Sequence, residues 1–141
     1  MQDYPPNTLN EPFMRSVQEL TDHQMAGQRL MVGFEGTAFN PDLEFLIREL
    51  KVGGIILFAQ NIEDPAQLRH LCHDMQKCAQ SSGQPPLFIA IDQEGGTVAR
   101  LREPAFREFP PITELNTLSA AETFSRDMAD QLSALGINMN M

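Results

Sequence analysis

Leu87-Phe88-Ile89-Ala90-Ile91-Asp92-Gln93-Glu94-Gly95-Gly96 is the stretch on which the reading of the fold turns. Five apolar residues run without a break, Pro85-Pro86 precedes them, and two acids and a glycine pair follow. So short a run, bounded in this way, predicts a strand buried on both faces. The acids fall where the strand ends, the edge at which a parallel sheet presents its ligand site. Gly95-Gly96 permits a sharp turn and leaves room for a close approach to the backbone. The plainer reading is a strand end with two solvated carboxylates, and the neighbouring chain has to decide between the two.

Moving outward, the same grammar repeats. Upstream, Asp64-Pro65 offers an N-cap and a first-turn proline. Leu68, Leu71, Cys72, Met75 and Ala79 then form an apolar helical stripe, closed by Gly83. Before that, Ile55-Ile56-Leu57-Phe58 predicts a second buried strand. Asn40-Pro41 opens a helix with Leu43, Leu46, Ile47 and Leu50 on one face, which Gly53 or Gly54 is expected to end. Leu30 to Phe34 predicts the first strand. Thr21 and Gln24 form a capping-box pair that starts a short helix at Asp22. Further back, Pro12 can open a helix carrying Phe13, Met14, Val17 and Leu20, and residues 1–10 predict a loose arm.

Downstream of Arg100 a long loop carries Pro104, Pro110 and Pro111. Ser119 and Glu122 have capping-box spacing, and Phe124, Met128, Leu132 and Leu135 line the helix that Gly136 stops. Residues 137–141 alternate apolar and polar, as a fourth strand does. Strand, helix, strand, helix, strand, helix, strand implies a parallel sheet with right-handed crossovers. A barrel and an open doubly wound sheet both satisfy that order. Gly95-Gly96 has no third spaced glycine and no Gly-Lys-Ser/Thr occurs, so the usual nucleotide signatures are missing.

Composition narrows the function. The chain has 141 residues, 42% of them hydrophobic, and a net charge of −9. That charge disfavours nucleic acid and anionic membrane surfaces as partners. No export signal or membrane-length apolar run is visible. Cys72 and Cys78 are six apart on a helix, on different sides of it, so a disulfide between them is not expected. Reduced thiols point to the cytoplasm. His70, His73 and Asp74 fall on the polar face of their helix, and a solvated face explains them better than a metal site.

Asp92 and Glu94 lie two apart on an extended end, roughly 7 Å apart at the backbone. Paired carboxylates near that distance suit glycoside hydrolysis. Arg100 and Arg102 are within reach as ion-pair partners. A carboxylate beside an arginine also suits sugar hydroxyls, since one group accepts and the other donates.

Taken together, several segments resemble glycoside hydrolase family 3. They are Leu30 to Phe34, Gly53 to Phe58 with Asn61-Ile62, Ile91-Asp92-Gln93-Glu94-Gly95-Gly96, Val98-Ala99-Arg100-Leu101, Phe109-Pro110 and Leu135 to Asn140. They are most similar to the bacterial β-N-acetylglucosaminidases (β-N-acetylhexosaminidases) that trim cell-wall fragments. The resemblance covers about Thr21 to Met141, and differs at Thr97, where family members often carry arginine. It implies a (β/α)8 TIM barrel, a retaining mechanism, and neither metal nor organic cofactor. It also implies that Asp92 hydrogen-bonds sugar hydroxyls and that Arg100 helps to hold the sugar.

In the family the nucleophilic Asp and the His-based proton donor lie beyond the fourth strand. A whole barrel takes about 250 residues. The expectation is therefore an α/β protein, the N-terminal half of such a barrel with about four parallel strands. Residues 1–20 form an arm and short helix, and 21–141 the half-barrel. Asp92 and Arg100 are the substrate-binding candidates, with no catalytic group and no metal ligand in the chain. Alone it is expected to be inactive and, with open strand edges, to self-associate. A β-glucosidase of the same family and a non-catalytic sugar-binding fragment are the alternatives.

Overall fold

The decapeptide becomes the third strand of a four-stranded parallel sheet. A computed structural model describes residues 19–141, and the alternating order appears in full. It runs α1 (Asp22–Gly27), β1 (Met31–Val32), α2 (Pro41–Arg48), β2 (Gly54–Leu57), α3 (Pro65–Ser81), β3 (Phe88–Ile91), α4 (Leu118–Ala134) and β4 (Met139–Asn140). The expected N-terminal arm and the helix through Phe13, Met14 and Val17 lie outside the described residues.

The sheet order is β1-β2-β3-β4, every pair parallel. Ile55 is in register with Ile89, Leu57 with Ile91, and Ala90 with Met139. A sheet built in sequence order with crossovers of one hand keeps its helices on one face. This is the arrangement of successive βα units in a (β/α)8 barrel. Three such units and a fourth strand make an α/β half-barrel, as the sequence predicts.

Three helices begin where the caps predict. Thr21 Oγ1 accepts from Gln24 N, and Gln24 Oε1 accepts from Thr21 N, closing the capping box of α1. Asn40 Oδ1 accepts from Leu43 N at 2.9 Å. Asp64 Oδ1 accepts from Ala66 N and Gln67 N at 2.8 and 2.9 Å. The fourth differs: α4 is capped by Thr117, whose Oγ1 accepts from Ala120 N at 3.1 Å, and not by Ser119. Both residue types cap well. The chain is still extended at Thr117, so the helix starts there and carries Leu118 and Ser119 in its first turn.

Two further expectations are corrected. α2 ends at Arg48, so Leu50 drops off its stripe and is half-exposed, and neither Gly53 nor Gly54 is its stop. Gly53 instead passes against the end of α1. A Cβ there would lie 2.3 Å from Gln28 O, while its N–H donates to Gly27 O and Leu30 O. β3 is also not buried on both faces throughout. Ile89 and Ile91 are fully buried, as is Ala90, but Phe88 is 56% exposed at the start of the strand.

The core is the space between sheet and helices. Ile55, Leu57, Ile89 and Ile91 from the strands meet Leu43 and Ile47 of α2 and Leu68, Leu71 and Met75 of α3. Each such side chain contributes on the order of 1.5–3 kcal/mol by leaving water. This packing fixes the ends of the strands, and with them everything built beyond Ile91.

Candidate functional site

Beyond Ile91 the backbone ladder runs out. Met141 N still donates to Ile91 O, and then side chains take over. Asn140 Oδ1 accepts from Gln93 N (2.9 Å) and Asn140 Nδ2 donates to Gln93 O (2.8 Å). An asparagine amide thus serves Gln93 as a neighbouring peptide would. Asn138 does the same lower down, with Oδ1 accepting from Ile89 N and Nδ2 donating to Leu87 O.

After Gln93 the chain doubles back. Glu94 N and Gly95 N both donate to Val98 O, closing a tight turn. Gly95 and Gly96 adopt φ of +91° and +61°, a region that L side chains rarely enter. The room they leave is filled by the chain itself. A Cβ on Gly95 would lie 2.2 Å from Pro110 O, and Gly96 N donates to Phe109 O. The glycine pair therefore admits the Phe109–Pro111 segment and not a ligand.

The turn returns Arg100 to the side of Asp92. Arg100 Nη2 donates to Asp92 Oδ2 at 2.8 Å, with 29% and 27% of the two side chains exposed. The guanidinium carbon also stands 5.9 Å from the centroid of the Phe58 ring, which follows β2. Gly33, just after β1, leaves that ring its place: a Cβ there would lie 3.2 Å from Phe58 Cε2. The pair sits where β1, β2, β3 and β4 all end. It is polar, preorganised and open to solvent on one side, which suits a ligand rich in hydroxyls.

Sequence reasoning placed Asp92 and Arg100, and the structure brings them together. Arg102, the other candidate partner, goes elsewhere, to Glu108 at 3.5 Å and to the carbonyls of Gly96 and Thr97. Glu94 is exposed and is not drawn into the pair. Gln93, Asn138 and Asn140 were not singled out as supports. The signal was there in Asn138-Met139-Asn140, two amides on one side of a strand.

His70 and His73 lie exposed on α3, and His70 Nδ1 is 3.0 Å from Ala66 O. Among the described residues no three His, Cys, Asp or Glu side chains converge as metal ligands. Cys72 and Cys78 are free thiols, both buried, and burial pushes the Cys72 thiol up to about 12.

A four-stranded parallel sheet with helical crossovers, carrying an ion pair at the carboxyl ends of its strands, is the α/β arrangement of the barrel type. Residues 17–141 match the family description "Glycosyl hydrolase family 3 N terminal domain", and the chain belongs to that family. It is 35% identical to β-hexosaminidase A of Pseudoalteromonas piscicida, over 86% of this chain and 24% of that protein. It is 36% identical to a β-hexosaminidase of Pseudomonas aeruginosa, over 79% of this chain and 33% of the relative. Among solved structures it resembles a family 3 β-N-acetylglucosaminidase from Paenibacillus sp. (TM-score 0.83, 40% identity, 86% of this chain and 24% of that one). NagZ from Neisseria gonorrhoeae, solved with N-trifluoroacetyl-D-glucosamine, is also similar (TM-score 0.66, 30% identity, 79% of this chain and 34% of that one). The chain thus spans about a quarter to a third of the length of these relatives.

Proposed function

We propose that these residues form the sugar-holding part of a glycoside hydrolase that removes terminal β-linked N-acetylglucosamine with retention, in the cytoplasmic recycling of cell-wall fragments. The observation that carries this is the Asp92–Arg100 pair at the carboxyl end of β3. It offers carboxylate acceptors and guanidinium donors on one open side, the complement of a sugar's vicinal hydroxyls. The relatives' names, β-hexosaminidase and β-N-acetylglucosaminidase, favour an N-acetylated sugar over glucose. Buried, unpaired Cys72 and Cys78 fit a reducing compartment.

The reaction itself needs a nucleophile and a proton donor. Asp92 is committed to Arg100, and Glu94 is exposed outside the pair, so neither is set for those roles. A polypeptide of these 141 residues therefore holds sugar without cleaving it. In the whole protein an aryl N-acetyl-β-glucosaminide should be hydrolysed with much higher kcat/KM than the matching aryl β-glucoside. Equal or reversed preference for the glucoside would defeat this reading.

A further inference from the structure

We propose that Gln93 is the positioning residue of the Asp92–Arg100 clamp, and that Asn140 holds Gln93 in turn; the functional part of this rests on the sugar-binding reading above. Gln93 is fully buried and lies between the two charged residues in sequence. Its Oε1 accepts from Arg100 N at 2.7 Å and from Leu101 N at 2.9 Å, and its Nε2 donates to Leu101 O at 3.2 Å. Three peptide groups of the returning segment are thus satisfied by a single side chain. Only an amide of this length supplies both acceptor and donor there.

The consequence reaches the site. Arg100 meets Asp92 eight residues away in sequence only if its backbone is held at a fixed distance from the end of β3, and Gln93 sets that distance. Gln93 itself lies past the last residue of β3, where its backbone has lost its strand neighbour. Asn140 replaces that neighbour by pairing both its N–H and its C=O. The chain of support runs from β4 through Asn140 and Gln93 to Arg100. No link in it needs to touch the sugar.

Kinetics and arginine side-chain NMR on the whole protein test this. Arg100 Nε is buried and has no acceptor among the described residues. Its N–H should give a slowly exchanging resonance, assigned by its disappearance in Arg100→Lys. Gln93→Met keeps length and removes all three hydrogen bonds. We expect it to lose that resonance and to raise KM for an aryl N-acetyl-β-glucosaminide about tenfold, with kcat within about twofold. Asn140→Ala alters an exposed residue and spares the core, so it decides the matter if Gln93→Met fails to fold. For it we expect faster exchange of the Arg100 resonance and a rise in KM of about threefold.

An unchanged Arg100 resonance with unchanged KM in folded variants overturns the proposal. A fall in kcat at constant KM does so too, since a positioning role for binding predicts the opposite split. If the wild-type protein cleaves no N-acetylglucosaminide, the sugar reading fails by itself. The Arg100 resonance in the variants still decides the positioning role.

Discussion

Removing the Asp92 carboxylate unpairs Arg100 and, on the function proposed above, takes away an acceptor for sugar hydroxyls in the same step. A hydrogen bond to a charged group is worth about 1.5–3 kcal/mol, so Asp92→Ala in the whole protein should lower kcat/KM roughly ten- to a hundredfold. The pair is more than a quarter exposed on each side, and folding stability should fall by no more than about 1 kcal/mol. His73→Ala, on the exposed face of α3, is the silent control; wild-type kinetics for Asp92→Ala would rule the role out. Cys72 makes a second prediction. Burial raises its folded pKa from 9.0 to about 12, so the folded chain keeps a proton that the unfolded chain loses. That contribution is whole below pH 9 and is lost as pH rises toward 12, at about 1.4 kcal/mol per unit. Urea midpoints between pH 9 and 11 should fall less steeply in Cys72→Ala; parallel slopes would refute the assignment. Asp92 and Arg100 were legible because charge at a strand end is conspicuous. Gln93 and Asn140 were not, because an amide reads the same in a sequence whether it is solvated or braces a backbone.

Elements were legible in proportion to their local chemistry. Asn40-Pro41 and Asp64-Pro65 state a helix start by themselves, and the structure begins α2 and α3 at those prolines. Asp64→Ala removes two capping bonds and should cost about 1 kcal/mol, read as a shift in the urea midpoint at constant slope. Thr117→Ala should cost a similar amount and Ser119→Ala very little; the reverse order would move the cap of α4 back to the sequence-based position. Where tertiary contacts set the outcome, the letters misled. Gly53 looks like a helix stop, yet its smallness serves the crossing of α1's end against β2. The glycine pair after Glu94 was read as a sharp turn with room for a close approach, and it is Pro110 and Pro111 that approach. In both places a glycine announces a close approach without saying what approaches.

At the scale of the molecule the sheet leaves two edges. β1 and β4 each pair on one side only within the described residues, because the order runs β1-β2-β3-β4 without closing. Beside β4, a cleft between strand and helix is lined by Phe124, Met128, Leu132, Ile137 and Met139. Met141 is 55% exposed next to it. Unpaired strand edges and contiguous apolar surface both drive association. Parallel edges can pair with a second copy, and the exposed Met139 and Met141 side chains add the hydrophobic term that backbone pairing alone lacks. The net charge of −9 opposes this weakly at physiological salt, where charges farther apart than about 8 Å are screened. A polypeptide of these 141 residues should therefore self-associate at micromolar concentration, through the β4–α4 side. Met139→Lys, on the exposed edge strand, should shift it toward monomer. Light scattering measures this directly, and a 15.8 kDa monomer with cooperative unfolding would refute the association.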